Sequence, residues 1–255
     1  SPGTEPPGRS SSESCSVSEC GQRDAMPRLT RDRGLVLATK DFAETDRIVT
    51  FLAERDGKIP ILVKGARRLS SSAGAVLDVI NYAEVIYYRR GGLQLLREAS
   101  LLYPFPRLRG DLERLEAAVG AAALSAGLLP EGQENREVLK LLLRFLRGLE
   151  AGLSPKIGGL AFQVKLLKAV GLGPHLQGCV SCGREEELTW SPERGGLLCR
   201  KCGGTGEDIP PRVWHVLLAL ERLPLRVSGN LKLDEATIAI ARRMLDDLAE
   251  WHLAH

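Results

Sequence analysis

The chain has 255 residues, 44% of them hydrophobic and 26% charged, with a formal net charge of +3. Such a chain can bury a full core and fill two or three units. No apolar run approaches the roughly 20 residues that cross a bilayer and no charged-then-apolar signal opens the chain, which excludes a membrane span and makes the cytosol the default location.

The charge is unevenly placed. Lys and Arg number 2 against 4 Asp and Glu over residues 1–25, 13 against 9 over residues 26–105, and 20 against 19 over residues 106–255. Residues 1–25 are rich in Ser, Pro, Gly and Glu, with Val17 the single aliphatic residue before Ala25. Such a segment buries too little apolar surface to offset its ordering entropy. A disordered extension carrying Cys15 and Cys20 is therefore expected, with Met26 opening the folded protein.

From Gly34 to Tyr103 short runs of Val, Ile, Leu and Tyr alternate with turn residues. Candidate strands are Gly34–Lys40, Arg47–Ala53, Lys58–Lys64, Tyr82–Arg89 and Leu93–Ala99, broken by Arg55-Asp56-Gly57 and Arg90-Gly91-Gly92. Five short antiparallel strands over residues 26–105 predict a small closed barrel, of the OB type or SH3-like. The stretch from Gly65 to Val79 reads as a mobile loop on the barrel face.

Residues 106–255 switch to helical patterning. Asp111 can cap a helix to about Leu129, leucines recur at helical spacing from Glu134 to Leu149, and Ser154-Pro155 supplies an N-cap and a first-turn proline. Pro211–Leu223 and Asp234 to about His252 read as two further amphipathic helices.

Between these helices, at residues 176–206, lies the sharpest signal in the chain. Cys179-Val180-Ser181-Cys182 and Cys199-Arg200-Lys201-Cys202 are separated by sixteen residues, the spacing of a four-cysteine structural zinc site. Gly183, Gly203 and Gly204 follow the pairs, letting the backbone turn and aim N–H groups at the thiolates. The intervening Leu188-Thr189-Trp190, Ser191–Gly196 and Leu197-Leu198 read as a hairpin folding one pair onto the other. Two disulfides or a redox dithiol fit less well without a secretory signal. Four thiolates leave no open position, so the zinc, one per chain, is structural. The zinc-deaminase pattern also fails, because none of His175, His215, His252 and His255 begins a His-x-Glu.

The positive excess of the barrel is concentrated. Six basic residues lie from Lys64 to Arg97 against Asp78 and Glu84 alone. Lys64, Arg67 and Arg68 open the long loop, and Arg89 and Arg90 follow Tyr87-Tyr88 at a hairpin. Cations that track phosphates beside aromatic faces that accept bases suit single-stranded nucleic acid, and Lys40, Arg47 and Lys58 on the first three strands extend the set. One of the two tyrosines must point inward, since neighbours on a strand face opposite ways. Arg200, Lys201, Arg242 and Arg243 read equally as phosphate contacts or as plain solubilising charge. In the helical part, Leu139, Leu141, Leu142, Leu143, Leu146 and Leu149 exceed one buried stripe. Beside Arg144, Lys165 and Lys168 such a surface would receive an acidic, apolar peptide, unless the leucines simply pack the core. There is no Gly-x4-Gly-Lys-Ser/Thr loop, no Gly-x-Ser-x-Gly elbow and no His-Glu-x-x-His, so no enzyme is expected.

Gly34-x-Val36-Leu37, Glu44-x-Asp46-Arg47-Ile48-Val49, Gly57-Lys58 and Lys64-Gly65-Ala66-Arg67-Arg68 together resemble the N-terminal domain of the bacterial RecO family of DNA repair proteins. With the four-cysteine insert, the similarity covers roughly Leu29 to His252. It implies an N-terminal OB-fold, a helical domain bearing the zinc, binding of single- and double-stranded DNA, and association with RecR. It further implies contact with the tail of single-stranded DNA-binding protein, a part in loading RecA, and a place on the nucleoid. Leu69 and the serines that follow replace the basic or proline residues expected after Arg68. The competing expectations are a zinc-ribbon adaptor whose barrel binds protein, and a metal-dependent nuclease. The latter would need clustered carboxylates, and Glu185-Glu186-Glu187 has no partner motif.

Overall fold

The structure, a computed structural model, describes Gly3 and residues 28–68 and 71–255. Apart from Gly3, the expected extension with Cys15 and Cys20, the start at Met26, and Leu69 and Ser70 of the long loop lie outside the described residues.

Five strands build the first half: β1 (Arg28–Phe42), β2 (Asp46–Ala53), β3 (Gly57–Val63), β4 (Tyr82–Arg89) and β5 (Gln94–Tyr103). They close into a barrel in the order β1-β2-β3-β5-β4. Two expectations change here. One pairing, β3 with β5 at Ile61 and Leu62, is parallel. And β1 is not short: its first half, from Arg28, pairs with β4 and its second half, to Phe42, pairs with β2. Residues 28–33 carry no apolar alternation because cross-strand charge holds them, with Arg31 and Arg33 both on Glu84 at 2.5 and 3.0 Å. A register shift between Val36 and Ala38 bends the strand. At Gly34, where β1 passes from one neighbour to the other, a Cβ would stand 2.0 Å from the Leu52 carbonyl oxygen, so the close approach requires glycine.

Alternation sends Val36, Val49, Phe51, Ile61, Val85 and Tyr87 into the barrel. The opposite face of β1 and β2 presents Leu35, Leu37 and Leu52, which join the core of the helical half. The change of texture near residue 105 is thus a change of secondary structure across a shared core.

The expected mobile loop is in part a plug. Beyond the basic turn, Ser71 caps a short helix, α1 (Ser72–Val76), accepting from the Gly74 N–H. The helix drives Leu77, 1% exposed, and Ala66 into the barrel core. Asn81 holds the helix end by donating to the Ala75 and Val76 carbonyls. Burying a leucine contributes roughly 2 kcal/mol toward holding the segment, beside the Ser71 cap and the Asn81 bonds.

The helices are α2 (Pro106–Arg109), α3 (Leu112–Leu128), α4 (Arg136–Glu150), α5 (Pro155–Ala169), α6 (Pro211–Arg222), α7 (Leu225–Ser228) and α8 (Glu235–Ala254). Asp111 and Ser154 cap α3 and α5 as expected, and Asp234 caps α8. α5 is apolar nearly all round and forms the axis on which α3, α4, α6, α7 and α8 pack. The leucine excess of α4 is absorbed the same way: Leu139, Leu142, Leu146 and Leu149 are buried, and Leu141 and Leu143 pack against the core from its edge.

Two short strands, β6 (Leu188–Ser191) and β7 (Gly196–Cys199), form the hairpin read from the sequence. The hairpin is packed on the helices, for Leu188, Leu197 and Leu198 belong to the main helical core.

Candidate metal centre and nucleic-acid interface

The β6–β7 hairpin brings the two Cys-x-x-Cys turns together. The Sγ atoms of Cys179, Cys182, Cys199 and Cys202 all lie within 4.8 Å of one another, and those of Cys182 and Cys199 are 3.7 Å apart. A tetrahedral zinc with Zn–S bonds of about 2.3 Å sets sulfurs about 3.8 Å apart, so the four residues fit that ion with a small contraction. Gly183 and Gly203 have φ of 75° and 99°, the left-handed turns that the knuckles require. Burial pushes the Cys179 thiol up, but backbone hydrogen bonds from Cys199, Ser181 and Cys182 outweigh it and bring its pKa down to about 6. N–H groups aimed at sulfur in this way favour the thiolate that binds metal. Cys179 and Cys199 are buried against the helical core, whereas Cys182 and Cys202 face solvent. Bound there, zinc would supply cross-linking and no open coordination position.

The basic residues predicted on the barrel separate into two groups. The first surrounds the β1–β2 turn. Lys40 is exposed with no ion-pair partner among the described residues. Arg47 and Arg67 both reach Asp41, at 3.3 and 3.4 Å. The Arg67 main-chain N–H donates to the Thr45 carbonyl and its guanidinium to the Glu44 carbonyl, while the Gly65 N–H donates to Asp46 Oδ1 at 2.8 Å. These bonds fasten the Lys64–Arg68 turn onto the β1–β2 turn, so Lys40, Arg47, Lys64, Arg67 and Arg68 form one cluster.

The second group, Arg89 and Arg90, sits at the β4–β5 turn. The parallel β3–β5 pairing puts that turn beside the start of β3, whereas Lys64 follows its end. The two groups are therefore separated by the seven residues of β3, roughly 23 Å. Between them the outward side chains Ile48, Thr50, Pro60 and Leu62 are half-exposed. A small polar cavity of about 270 Å³ beside Arg89 and Arg90 is lined also by Asp56, Pro60 and Gln94. Arg89 is held by Asp56, and the amide of Gln94 bonds the main chain of Arg90 and Gly92, shaping the turn.

Lys58 is placed differently from the sequence reading, and Tyr87 is the tyrosine of the pair that points inward. Lys58 Nζ donates to the Ala126 carbonyl of α3 at 2.7 Å, and its own carbonyl accepts from the Gly132 N–H, so this cation joins barrel to helices. Tyr87 is fully buried and donates to Asp56, with Tyr88 on the outer side. Burial, reinforced by the Asp56 carboxylate, raises the Tyr87 pKa. Two carboxylates escaped the sequence reading altogether. Asp32 is buried and accepts the N–H groups of Arg33, Arg55 and Asp56, and Asp56 orients both Tyr87 and Arg89. Nothing in composition marks a buried, turn-binding aspartate.

Of the helical cations, Arg144 is exposed without an ion pair among the described residues. Lys165 donates to the Glu221 carbonyl oxygen in 56-residue-distant α6, and Lys168 pairs with the Glu221 carboxylate, so both tie α5 to α6. The large cavity lies elsewhere, about 620 Å³ between α3, α5 and α8, floored by Leu124, Phe145 and Phe162. Its rim carries Glu113, Glu116, Asp246 and Glu250 against Lys156 and Arg242.

Two family models match the chain: recombination protein O, N terminal, over residues 26–105, and recombination protein O, C terminal, over residues 109–255. The chain is 33% identical over 224 residues to the DNA repair protein RecO of a Roseiflexus species, covering 86% of this chain and 79% of that one. It is 35% identical over 231 residues to the RecO of an Anaeromyxobacter species, covering 86% and 90%. With the RecO of Bacillus subtilis the identity is 28% over 222 residues, covering 86% and 87%.

Proposed function

The chain belongs to the recombination protein O family of DNA repair proteins, and on that premise we propose that it is a non-enzymatic recombination mediator that binds single- and double-stranded DNA and anneals strands. The observation that carries this reading is the pair of basic groups at the two ends of the outer β2–β3 face. Each group can hold a strand through its phosphates, and the roughly 23 Å between them, lined by half-exposed side chains, lets two strands be held without sharing one set of cations. The closed order with β3 parallel to β5 and a long bent β1 supports assigning the barrel to the OB type, whose strands 2–3 and flanking turns bind oligonucleotides.

In the same reading one structural zinc is held by Cys179, Cys182, Cys199 and Cys202, and residues 26–105 and 106–255 are the two working units. RecR, single-stranded DNA-binding protein and RecA are the proposed partners, on the nucleoid. The coating protein's acidic tail needs a cationic handle, for which Arg144, Lys165 and Lys168 remain the candidates. Lys165 and Lys168 must first release Glu221. The cavity between α3, α5 and α8 is a poorer choice for an acidic tail because its rim is itself acidic. No helix among the described residues is long and apolar enough to cross a membrane.

Titration of labelled single strands and duplexes at several salt concentrations tests the reading. The Arg67→Ala, Arg68→Ala double variant should bind every sequence more weakly and flatten the salt dependence by about one unit per lost phosphate contact. Unchanged affinity and slope would reject the placement.

A further inference from the structure

The chain has five phenylalanines. Phe51, Phe105, Phe145 and Phe162 are at most 2% exposed, whereas Phe42 is 47% exposed. It ends β1 at the β1–β2 turn, directly before Ala43, whose φ of 53° places a non-glycine residue in the left-handed region. The strand partner of Phe42 is Asp46 and that of Lys40 is Ile48, so Phe42 and Lys40, two residues apart, project from the same outer face as Ile48. The turn behind the ring is braced from the other side by Arg67, through Asp41 and the carbonyl of Glu44. A large aromatic is thus set in solvent at the edge of the densest group of cations on the barrel.

We propose that Phe42 is a base-stacking residue, and that with Lys40 on the same face and Arg47 and Arg67 on the other side of the turn, within reach of the flanking phosphates, it makes the β1–β2 turn a subsite for an unpaired nucleotide. The inference rests on the nucleic-acid reading of the basic barrel and gives that surface a preference for single strands. Cations alone bind phosphates of either form, because both carry the same charge per strand. An exposed ring discriminates, since only an unstacked base offers it a free face. The carboxylates of the turn do not oppose this. Asp41 is neutralised by Arg47 and Arg67, and Asp46 is occupied by the Gly65 N–H and the Thr45 hydroxyl. Lys40, Arg47, Lys64, Arg67 and Arg68 still outnumber the three carboxylates Asp41, Glu44 and Asp46, and this net positive charge favours a polyanion at the site. Tyr87 cannot supply the face, because it is inside the barrel.

The test measures binding of oligo(dT) and of a duplex of equal length, at several salt concentrations, to the full chain and to Phe42→Ala, Phe42→Trp and the Arg67→Ala, Arg68→Ala variant. Phe42→Ala should weaken the single strand by roughly 5- to 150-fold, change the duplex by less than about twofold, and leave the salt slope as it was. Phe42→Trp should keep single-strand affinity and add a tryptophan emission that oligo(dT) quenches. Wild-type single-strand binding by Phe42→Ala, or an equal loss on both substrates, overturns the stacking role. If the arginine variant is then still weakened, the basic surface survives without the stack; if it too binds normally, the nucleic-acid reading itself falls.

Discussion

Lys58 Nζ donates to the main-chain carbonyl of Ala126, 2.7 Å away, so the cation near the start of β3 sits on the C-terminal turn of α3. Carbonyls there lack intrahelical donors and carry the negative end of the helix dipole, which makes a lysine the favoured partner. A part-buried charge-assisted bond of this kind contributes about 1.5–3 kcal/mol. Lys58→Met should lower stability by about that amount in denaturant melts while leaving DNA affinity near wild type below the transition. A normal melt with weakened DNA binding would return Lys58 to the phosphate-contacting set.

Tyr87 is the second residue whose role is structural. Tyr87→Ala opens a cavity in the barrel and should cost about 3–5 kcal/mol, whereas Tyr87→Phe removes only the bond to Asp56 and should cost about 1 kcal/mol with DNA binding intact. Burial followed by the neighbouring carboxylate also raises the pKa of Tyr87, and of Tyr82, the latter to about 12. A tyrosine raised on folding stabilises through its neutral form. That contribution is complete below the unfolded value of about 10 and is lost as pH rises through the folded one. Ultraviolet titration should therefore show Tyr82 and Tyr87 ionising late, with alkaline unfolding above about pH 10. Ionisation of all four tyrosines near pH 10 in a folded chain would contradict the burial.

The sequence made some of these features legible and hid others for identifiable reasons. Asp111, Ser154 and Asp234 announce their helices because capping depends on the residue and its next three neighbours. The cysteine turns are legible because metal geometry fixes ligand spacing and needs glycine beside it. Leu77 plugging the barrel was not legible, since a lone leucine in a serine-rich loop carries no period. Nor was the start of β1, held by Arg31, Arg33 and Glu84 rather than by alternation. Lys58 and Tyr87 belong to residue types that suit a nucleic-acid surface, and only the closed topology determines that one meets α3 and the other faces inward. Phe42 lies beyond the Gly34–Lys40 run, and nothing in the sequence around it reveals its exposure.

The cysteine cluster predicts one tightly bound zinc per chain. Cys199→Ser should abolish it and, because Leu188, Leu197 and Leu198 of the hairpin belong to the main helical core, should lower stability by at least about 3 kcal/mol, roughly 6–12 °C in the midpoint. Elemental analysis and thermal melts of the variant and the chelator-treated protein measure this. Metal-free protein with the wild-type melting curve would remove zinc from the account of the fold.

Annealing follows from two separated basic groups better than from one. Complementary strands repel until both backbones are neutralised, and a protein holding one on each group raises their local concentration without any chemical energy source. The chain offers Lys40, Arg47, Lys64, Arg67 and Arg68 at one end of β3 and Arg90 with Asp56-bound Arg89 at the other. Complementary strands carrying a fluorescent pair should therefore anneal faster with the protein than alone, in the absence of nucleotide, and also when coated with single-stranded DNA-binding protein. Either Arg67→Ala, Arg68→Ala or Arg90→Ala should slow annealing by a larger factor than it weakens single-strand binding, because each leaves one strand site intact. Strict dependence on ATP, or no acceleration on either substrate, would put a protein-binding adaptor ahead of the mediator. Equal losses in binding and annealing would mean that the two groups serve one strand, laid along β3, and that the second strand is received elsewhere.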